Sequence, residues 1–321
     1  MRVTQQTKEN LIANVYIAET DDGRSIEFVE STQPPLTINE KWVIIISTLF
    51  GCPVNCAFCD AGGDYRGKLT AEHLQFQVDY LVGKRFPGNK INTDKFKIQF
   101  ARMGEPSFNS SVIEFLKRIP ELYDYRLFIP SLSTIGPAGT HTFFKELLEV
   151  KKQLFDKEFQ LQFSIHSTDL EQRRKLIPVN TMSFEEIANY GNSFFTPEGK
   201  KITLNFAIGD NYIVEASTLK QYFNPEKFLI KVTPVNPTFK AQKNRINSLI
   251  SPLKTNHYIL DNIRDAGYDI IISIGELEEN KIGSNCGQYI SQARNHCRGE
   301  DSYTYALEKC RVQSPEERSQ N

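Results

Sequence analysis

Seven short runs rich in β-branched and apolar residues, separated by stretches with helical period, leave this chain few folds to choose from. The runs are 42–48 (WVIIIST), 95–101 (KFKIQFA), 126–133 (RLFIPSLS), 160–166 (QLQFSIH), 202–208 (ITLNFAI), 228–234 (FLIKVTP) and 268–274 (YDIIISI). Helical segments are predicted over 70–82, 111–118, 141–151, 183–191, 215–222 and 255–265, the first opening on Thr70 as an N-cap. Strands and helices in alternation mean βα units on a parallel sheet, the α/β class. Six or seven such units in about 230 residues fit a partial barrel better than a closed eightfold one. The barrel is expected over 41–300. Ahead of it, residues 1–40 carry Ile12–Ile17, the turn Asp21-Asp22-Gly23-Arg24 and Ile26–Val29, which reads as a small β-hairpin extension. Residues 236–252 form a polar excursion, and 301–321 a C-terminal tail without apolar pattern beyond about 311.

Composition narrows the class. A formal net charge of −1 over 321 residues offers no general attraction to a polyanion, which weakens nucleic acid as a partner. Six cysteines are too few for a secreted disulfide scaffold, so a reduced, cytoplasmic setting is expected. The opening MRVTQQTKENLIANV lacks the order of a signal peptide, and no apolar run is long enough to span a bilayer.

Three of the six cysteines, Cys52, Cys56 and Cys59, crowd into GCPVNCAFC with C-x3-C-x2-C spacing, and the next, Cys286, lies more than two hundred residues on. Three thiolates on one loop suit three irons of a cubane 4Fe–4S cluster and leave the fourth iron open to a small molecule. Structural zinc wants four closed ligands, and no second pair or histidine lies nearby in sequence.

The other unusual residues fall in phase with the strands. The cysteine loop follows the first strand and Met103-Gly104-Glu105-Pro106 the second; Ser133-Thr134-Ile135-Gly136 ends the third and Ser164-Ile165-His166 the fourth. Asn236-Pro237 follows the sixth, and the loop holding Cys286 follows the last. Strand carboxyl ends share one rim, where α/β folds gather their reactive groups. Glu105 can pair with an ammonium, and Gly104 lets a backbone approach closely. Taken singly, Ser133, Ser164 and Asn236 read as ordinary strand-end residues, His166 as a structural histidine and Arg173 as a solvated helix charge.

Taken together, the motifs resemble those of radical S-adenosylmethionine (SAM) enzymes, and in particular the branch that methylates adenine in ribosomal and transfer RNA. CPVNCAFC is similar to its cluster loop. RMGEPSFN (102–109), LSTIG (132–136), SIHS (164–167), TPVNP (233–237) and NCGQY (285–289) stand in the branch's order, and SIHSTDLEQRRKLIPVN follows its pattern without a gap. The resemblance runs from about residue 20 to 295. It implies a partial (β/α)6-type radical SAM barrel, with Cys52, Cys56 and Cys59 on the cluster and SAM on the open iron. By position, Gly104, Glu105, Ser133, Ser164, Ile165, His166 and Asn236 hold SAM, and Glu27 is the proton acceptor; read from its own surroundings, Glu27 is equally an exposed hairpin carboxylate. Cys286 matches the methyl-carrying cysteine, which passes carbon to an sp2 centre of an aromatic or heteroaromatic substrate, RNA adenine in the branch itself. A flavodoxin- or ferredoxin-like donor supplies the electron.

Two departures qualify the match. The branch's second cysteine, which releases the product, is replaced by Ile45, so that Cys297, Cys310 or an external thiol must substitute or the reaction ends differently. The helical RNA-binding domain that precedes the barrel in the branch has no counterpart in the 51 residues before Cys52. The alternatives are a radical SAM enzyme that abstracts hydrogen or rearranges a small molecule without methyl transfer, and a non-enzymatic iron–sulfur redox sensor. An auxiliary cluster on Cys286, Cys297 and Cys310 matches no defensible spacing.

Overall fold

The structure is a computed structural model describing residues 1–88, 90–250, 258–275, 277–284, 289–290 and 304–310. Its strands are β1 (Arg2–Thr7), β2 (Ala13–Glu19), β3 (Ser25–Ser31), β4 (Lys41–Ile46), β5 (Lys90–Ile91), β6 (Lys95–Phe100), β7 (Asp124–Tyr125), β8 (Phe128–Thr134), β9 (Gln160–Ser164), β10 (Ile202–Ile208), β11 (Phe228–Pro234), β12 (Ile270–Ile272) and β13 (Leu307–Lys309). Apart from the small β5–β7 pair, all join one sheet in the order β12-β11-β10-β9-β8-β6-β4-β3-β2-β1-β13. From β4 to β12 every pairing is parallel. This is the α/β half-barrel that the alternation predicts, and the runs at 202–208 and 228–234 are strands from end to end.

Helices fill the crossovers. Helix α1 (Ala71–Arg85) follows β4, α2 (Ser111–Leu122) follows β6, and α3 (His141–Val150) follows β8. Between β9 and β10 lie α4 (Leu170–Leu176) and α5 (Phe184–Phe194), and α6 (Ala216–Tyr222) precedes β11. Then come α7 (Phe239–Lys243) and α8 (Tyr258–Asp265) before β12, and α9 (Leu277–Ile282) after it. Thr70 caps α1 and Ser183 caps α5, each in a reciprocal box with the residue three positions on. Helix α4 escapes the sequence reading because LEQRRKL is short and mostly polar; only Arg173 and Leu176 are buried, and Asp169 caps it by accepting from the Gln172 N–H.

Strand parity sorts the side chains. Phe96, Ile98 and Phe100 of β6 face the helices and are fully buried, whereas Lys95, Lys97 and Gln99 face the other way and keep some access to solvent. The same alternation runs through β9, with Leu161 and Phe163 toward the helices and Gln160, Gln162 and Ser164 opposite. The core therefore lies between the sheet's convex face and its helices, while the concave face is polar. Aromatic contacts run through that core: Trp42 stacks on Phe96 at 5.4 Å, Phe96 meets Phe128 at 5.4 Å, and Phe144 stacks on Phe163 at 6.0 Å.

The amino-terminal segment departs from expectation in extent. The β2–β3 hairpin is present, but β1 adds a third strand, and β3 pairs antiparallel with β4, so the extension continues the barrel sheet. Polar RVTQQT gives β1 no apolar signal because it lies near the sheet edge. Residues 307–309, within the segment read as a tail, return as the edge strand β13 on β1; residues from 311 onward lie outside the described set.

Phe96→Ala removes a fully buried ring at the centre of this aromatic chain and is expected to cost about 3–5 kcal/mol. Chemical denaturation followed through Trp42, the sole tryptophan, measures it directly.

Candidate active site

The cysteine loop begins where β4 ends and is held from three sides. Thr48 and Leu49 donate their N–H groups to the Met103 carbonyl at 2.8 and 3.2 Å, and the Gly51 N–H reaches the Met103 sulfur at 3.2 Å. The Ala57 N–H donates to the Leu176 carbonyl at 2.9 Å. On the third side, buried Asp60 accepts from the Phe239 and Lys240 N–H groups, both at 3.0 Å, at the start of α7. Thr238, the N-cap of α7, donates its hydroxyl to the Phe58 carbonyl at 2.8 Å. The polar excursion of 236–252 thus contains the clamp on the cysteine loop. Short carboxylate and hydroxyl caps are poor signals in sequence, and neither Asp60 nor Thr238 is legible there as a site residue.

Cys52, Cys56 and Cys59 are half-buried thiols. Burial pushes the Cys52 thiol up to about 11. Cys56 is raised well above the ordinary range, by burial first and then by the charges of Cys59, Cys52 and Glu105. Thiolates that disturb one another call for shared positive charge, and Lys240 supplies some of it. The Tyr212 hydroxyl, buried near Cys56, has no hydrogen-bond partner among the described residues. Among the described residues, no three His, Cys, Asp or Glu side chains gather tightly enough to hold a single metal ion. Three mutually coupled thiols on a pinned loop fit a multi-iron cluster.

Glu105 lies beside Cys52 and is buried. One carboxylate oxygen accepts from the Ser107 N–H at 3.1 Å, the Ser107 hydroxyl at 2.8 Å and the Thr134 hydroxyl at 2.5 Å; the other accepts only the Ile135 N–H, at 2.9 Å. Burial raises its pKa against these bonds, and its second oxygen keeps room for a cationic donor. Gly104 has φ of +99°, and a Cβ there would sit 2.5 Å from Leu49 Cβ. Its close approach is therefore to the root of the cysteine loop.

Ser164 ends β9 opposite Asn205, and the next two N–H groups, of Ile165 and His166, both donate to the Asn205 carbonyl. His166 takes φ of +64°. Its Nδ1 accepts the Ala207 N–H at 3.0 Å and its ring meets Phe58 edge-on at 4.9 Å. Burial, aided by Arg173, lowers its pKa to about 3, so the imidazole is neutral. Ser133 accepts from the Gln162 amide at 3.2 Å. Asn236, past β11, is half-buried, and its carbonyl accepts the Thr238 N–H. Asn205, inconspicuous in sequence, carries a buried amide oxygen without a hydrogen-bond partner among the described residues.

Arg173 is not a solvated charge. It is buried, donates to the carbonyls of Met182 and Ile135 at 3.1 Å each, and so props the loop after β8. Nor is Glu27 an exposed hairpin carboxylate. It is completely buried, 2.6 Å from Arg102, and accepts the Ile290 N–H at 2.7 Å. Arg102 also donates to the Gly283 and Ser284 carbonyls at 2.9 and 3.0 Å. The pair therefore grips the chain on both sides of 285–288. Cys286 and Cys297 themselves lie outside the described residues. Cys310 is placed beside Tyr80 and Lys84 of α1, on the helix side of the sheet. Ile45 packs with Cys52, Cys59, Met103 and Ile290 in one apolar cluster.

No protein-family model matches the chain. Curated relatives do. A probable dual-specificity RNA methyltransferase RlmN from Pseudothermotoga lettingae is 28% identical over 281 residues, covering 82% of this chain and 74% of the relative. Ribosomal RNA large subunit methyltransferase N from Nitrosopumilus maritimus is 28% identical over 235 residues, covering 69% of this chain and 63% of the relative. Among solved structures, a radical SAM methyltransferase from Sphaerobacter thermophilus superposes with a TM-score of 0.70 at 20% identity, over 89% of this chain and 80% of that one, a likeness of fold. In sequence the chain resembles the RlmN methyltransferases, and in fold a radical SAM methyltransferase. The motif resemblance and the half-barrel are both borne out by these relatives. Among the described residues no helix is long and apolar enough to cross a membrane.

Two outcomes are expected from the site's electrostatics. Because the pKa of His166 is lowered in the folded state, its contribution to stability is full above about pH 6.5 and is lost as pH falls toward 3. Equilibrium unfolding should show about 2 kcal/mol of this loss between pH 7 and 5, and His166→Asn, which tolerates the left-handed backbone, should remove that component. Arg102→Met leaves Glu27 buried without its cation and should cost about 3–5 kcal/mol in the same assay.

Proposed function

We propose that Cys52, Cys56 and Cys59 ligate a 4Fe–4S cluster whose open iron takes SAM, and that the enzyme methylates an sp2 carbon of a heteroaromatic base, with RNA adenine the first candidate. The observation that carries this reading is the set of three coupled thiols on a loop pinned at the strand rim next to buried Glu105. When bound, the cluster supplies the electron that splits SAM into methionine and a 5′-deoxyadenosyl radical. A flavodoxin- or ferredoxin-like protein is the expected donor. The RNA assignment draws on relatives whose names specify RNA.

The chain's own residues bind and orient. Glu105, through its less occupied oxygen, takes the amino group of SAM, with Gly104, Ser133, Ser164, Ile165 and Asn236 around the remainder. Neutral His166 holds the shape of the pocket floor and carries no charge to it. Cys286 serves as the methyl carrier. Glu27 anchors the chain around Cys286, because Arg102 and backbone N–H groups already fill its carboxylate. Product release by a second thiol cannot come from Ile45, and Cys310 is on the wrong side of the sheet. Cys297 or an external thiol takes that part.

Anaerobic reconstitution followed by product analysis tests the proposal. Protein given SAM and a one-electron reductant should release 5′-deoxyadenosine, and replacing Cys52, Cys56 or Cys59 by Ala should abolish that release. Mass spectrometry should find a gain of about 14 Da on Cys286, the mass of a carried methyl less the displaced proton. Cleavage that survives the alanine variants overturns the cluster assignment. An unmodified Cys286 alongside active cleavage overturns methyl carriage alone.

A further inference from the structure

The concave face of the sheet holds an uncommon concentration of positive charge away from the cysteine rim. Lys41, the first residue of β4, is paired directly with Lys95, the first residue of β6, and Lys97 lies two positions on along the same face. From the far side of the half-barrel comes Lys231 of β11, in register with Asn205, and Lys200 precedes β10. Burial pushes the Lys97 pKa down to about 7, and the charges of Lys231, Lys41 and Lys200 add to the shift. Lys41 donates to the Gln33 amide oxygen, and Lys200 is 3.5 Å from Glu158. Among the described residues, neither Lys95 nor Lys97 has a carboxylate partner.

Like charges set opposite one another on paired strands destabilise a sheet, and an unpaired cation in a confined space carries a desolvation cost. A multiply charged anion offsets both at once. We propose that the amino-terminal mouth of the half-barrel is a binding site for a small polyphosphate anion, held by Lys41, Lys95 and Lys97. The site lies at the opposite ends of the strands from the cysteine loop and is independent of the function proposed for that rim. Lysines act as point charges toward phosphoryl oxygens, and their juxtaposition on the paired strands β4 and β6 suits a compact group with several negative charges. Lys95 is exposed, so the mouth is open to a ligand from solvent.

Titration calorimetry of the full chain with inorganic pyrophosphate tests this at constant ionic strength. Saturable one-to-one binding is expected, weakened at least about tenfold by Lys97→Met or Lys95→Met and retained by Lys97→Arg. Lys220→Met, on exposed helix α6, serves as the control and should bind like the wild type. Thermal melting of each variant confirms folding, and Lys95→Met, at an exposed position, keeps the test open if the buried variant does not fold. Absence of saturable binding overturns the proposal, as does unchanged affinity in the lysine variants. Equal affinity for citrate overturns the assignment to phosphate chemistry.

Discussion

Helices α1, α2, α3, α5, α6 and α8 pack on one face of the sheet, and the division of labour follows from that constraint. The face under the helices must be dry, so β4 to β11 present Trp42, Phe96, Phe128, Phe163, Phe206 and Phe228 there, each buried. The other face carries no such demand. It is free to be lined with lysine, glutamine, serine and asparagine, which would be intolerable in a filled barrel core. Period-two alternation in a parallel sheet is thus the physical origin of a polar cavity, with residues for chemistry at one end and cations at the other.

Within that frame, buried ionic and polar groups act as fasteners between distant parts of the chain. Arg102 sits at the end of β6 and joins the amino-terminal meander, through Glu27, to the segment after α9. Arg173 joins α4 to the loop after β8. Glu105 gathers Ser107, Thr134 and Ile135. Such groups are expensive to bury and poorly replaced singly, because removing one partner strands the other. Their worth here is geometric: each fixes a rim loop whose backbone otherwise has no regular partner.

The sequence made the parallel strands legible because runs such as ITLNFAI and FLIKVTP are unambiguous in length and β-branching. The cysteine loop stands out because cysteine spacing is a local signal. Long-range polar contacts were not. Arg102 and Glu27 are 75 residues apart, and nothing in either neighbourhood reveals the other. Arg173 read as a surface charge because it stands among other charges, QRRK, whereas only the fold decides which of them turns inward. Likewise β1 and β13 are short and polar, and they become strands by pairing, β1 along β2 and β13 along β1. Asn205 was passed over inside an apolar run, where a single amide looks incidental until its neighbours Ser164 and Lys231 are known.

The clamp made by Asp60 and Thr238 also bears on the order of assembly. The cysteine loop is among the first parts of the barrel to leave the ribosome, yet its fastening residues on α7 lie about 180 positions later. The thiols therefore remain loosely arranged until the sixth parallel strand has docked. On the cluster assignment proposed above, iron delivered to a partly folded chain would meet three unshaped sulfurs in place of a cradle, which puts metallation after the barrel has closed on this loop.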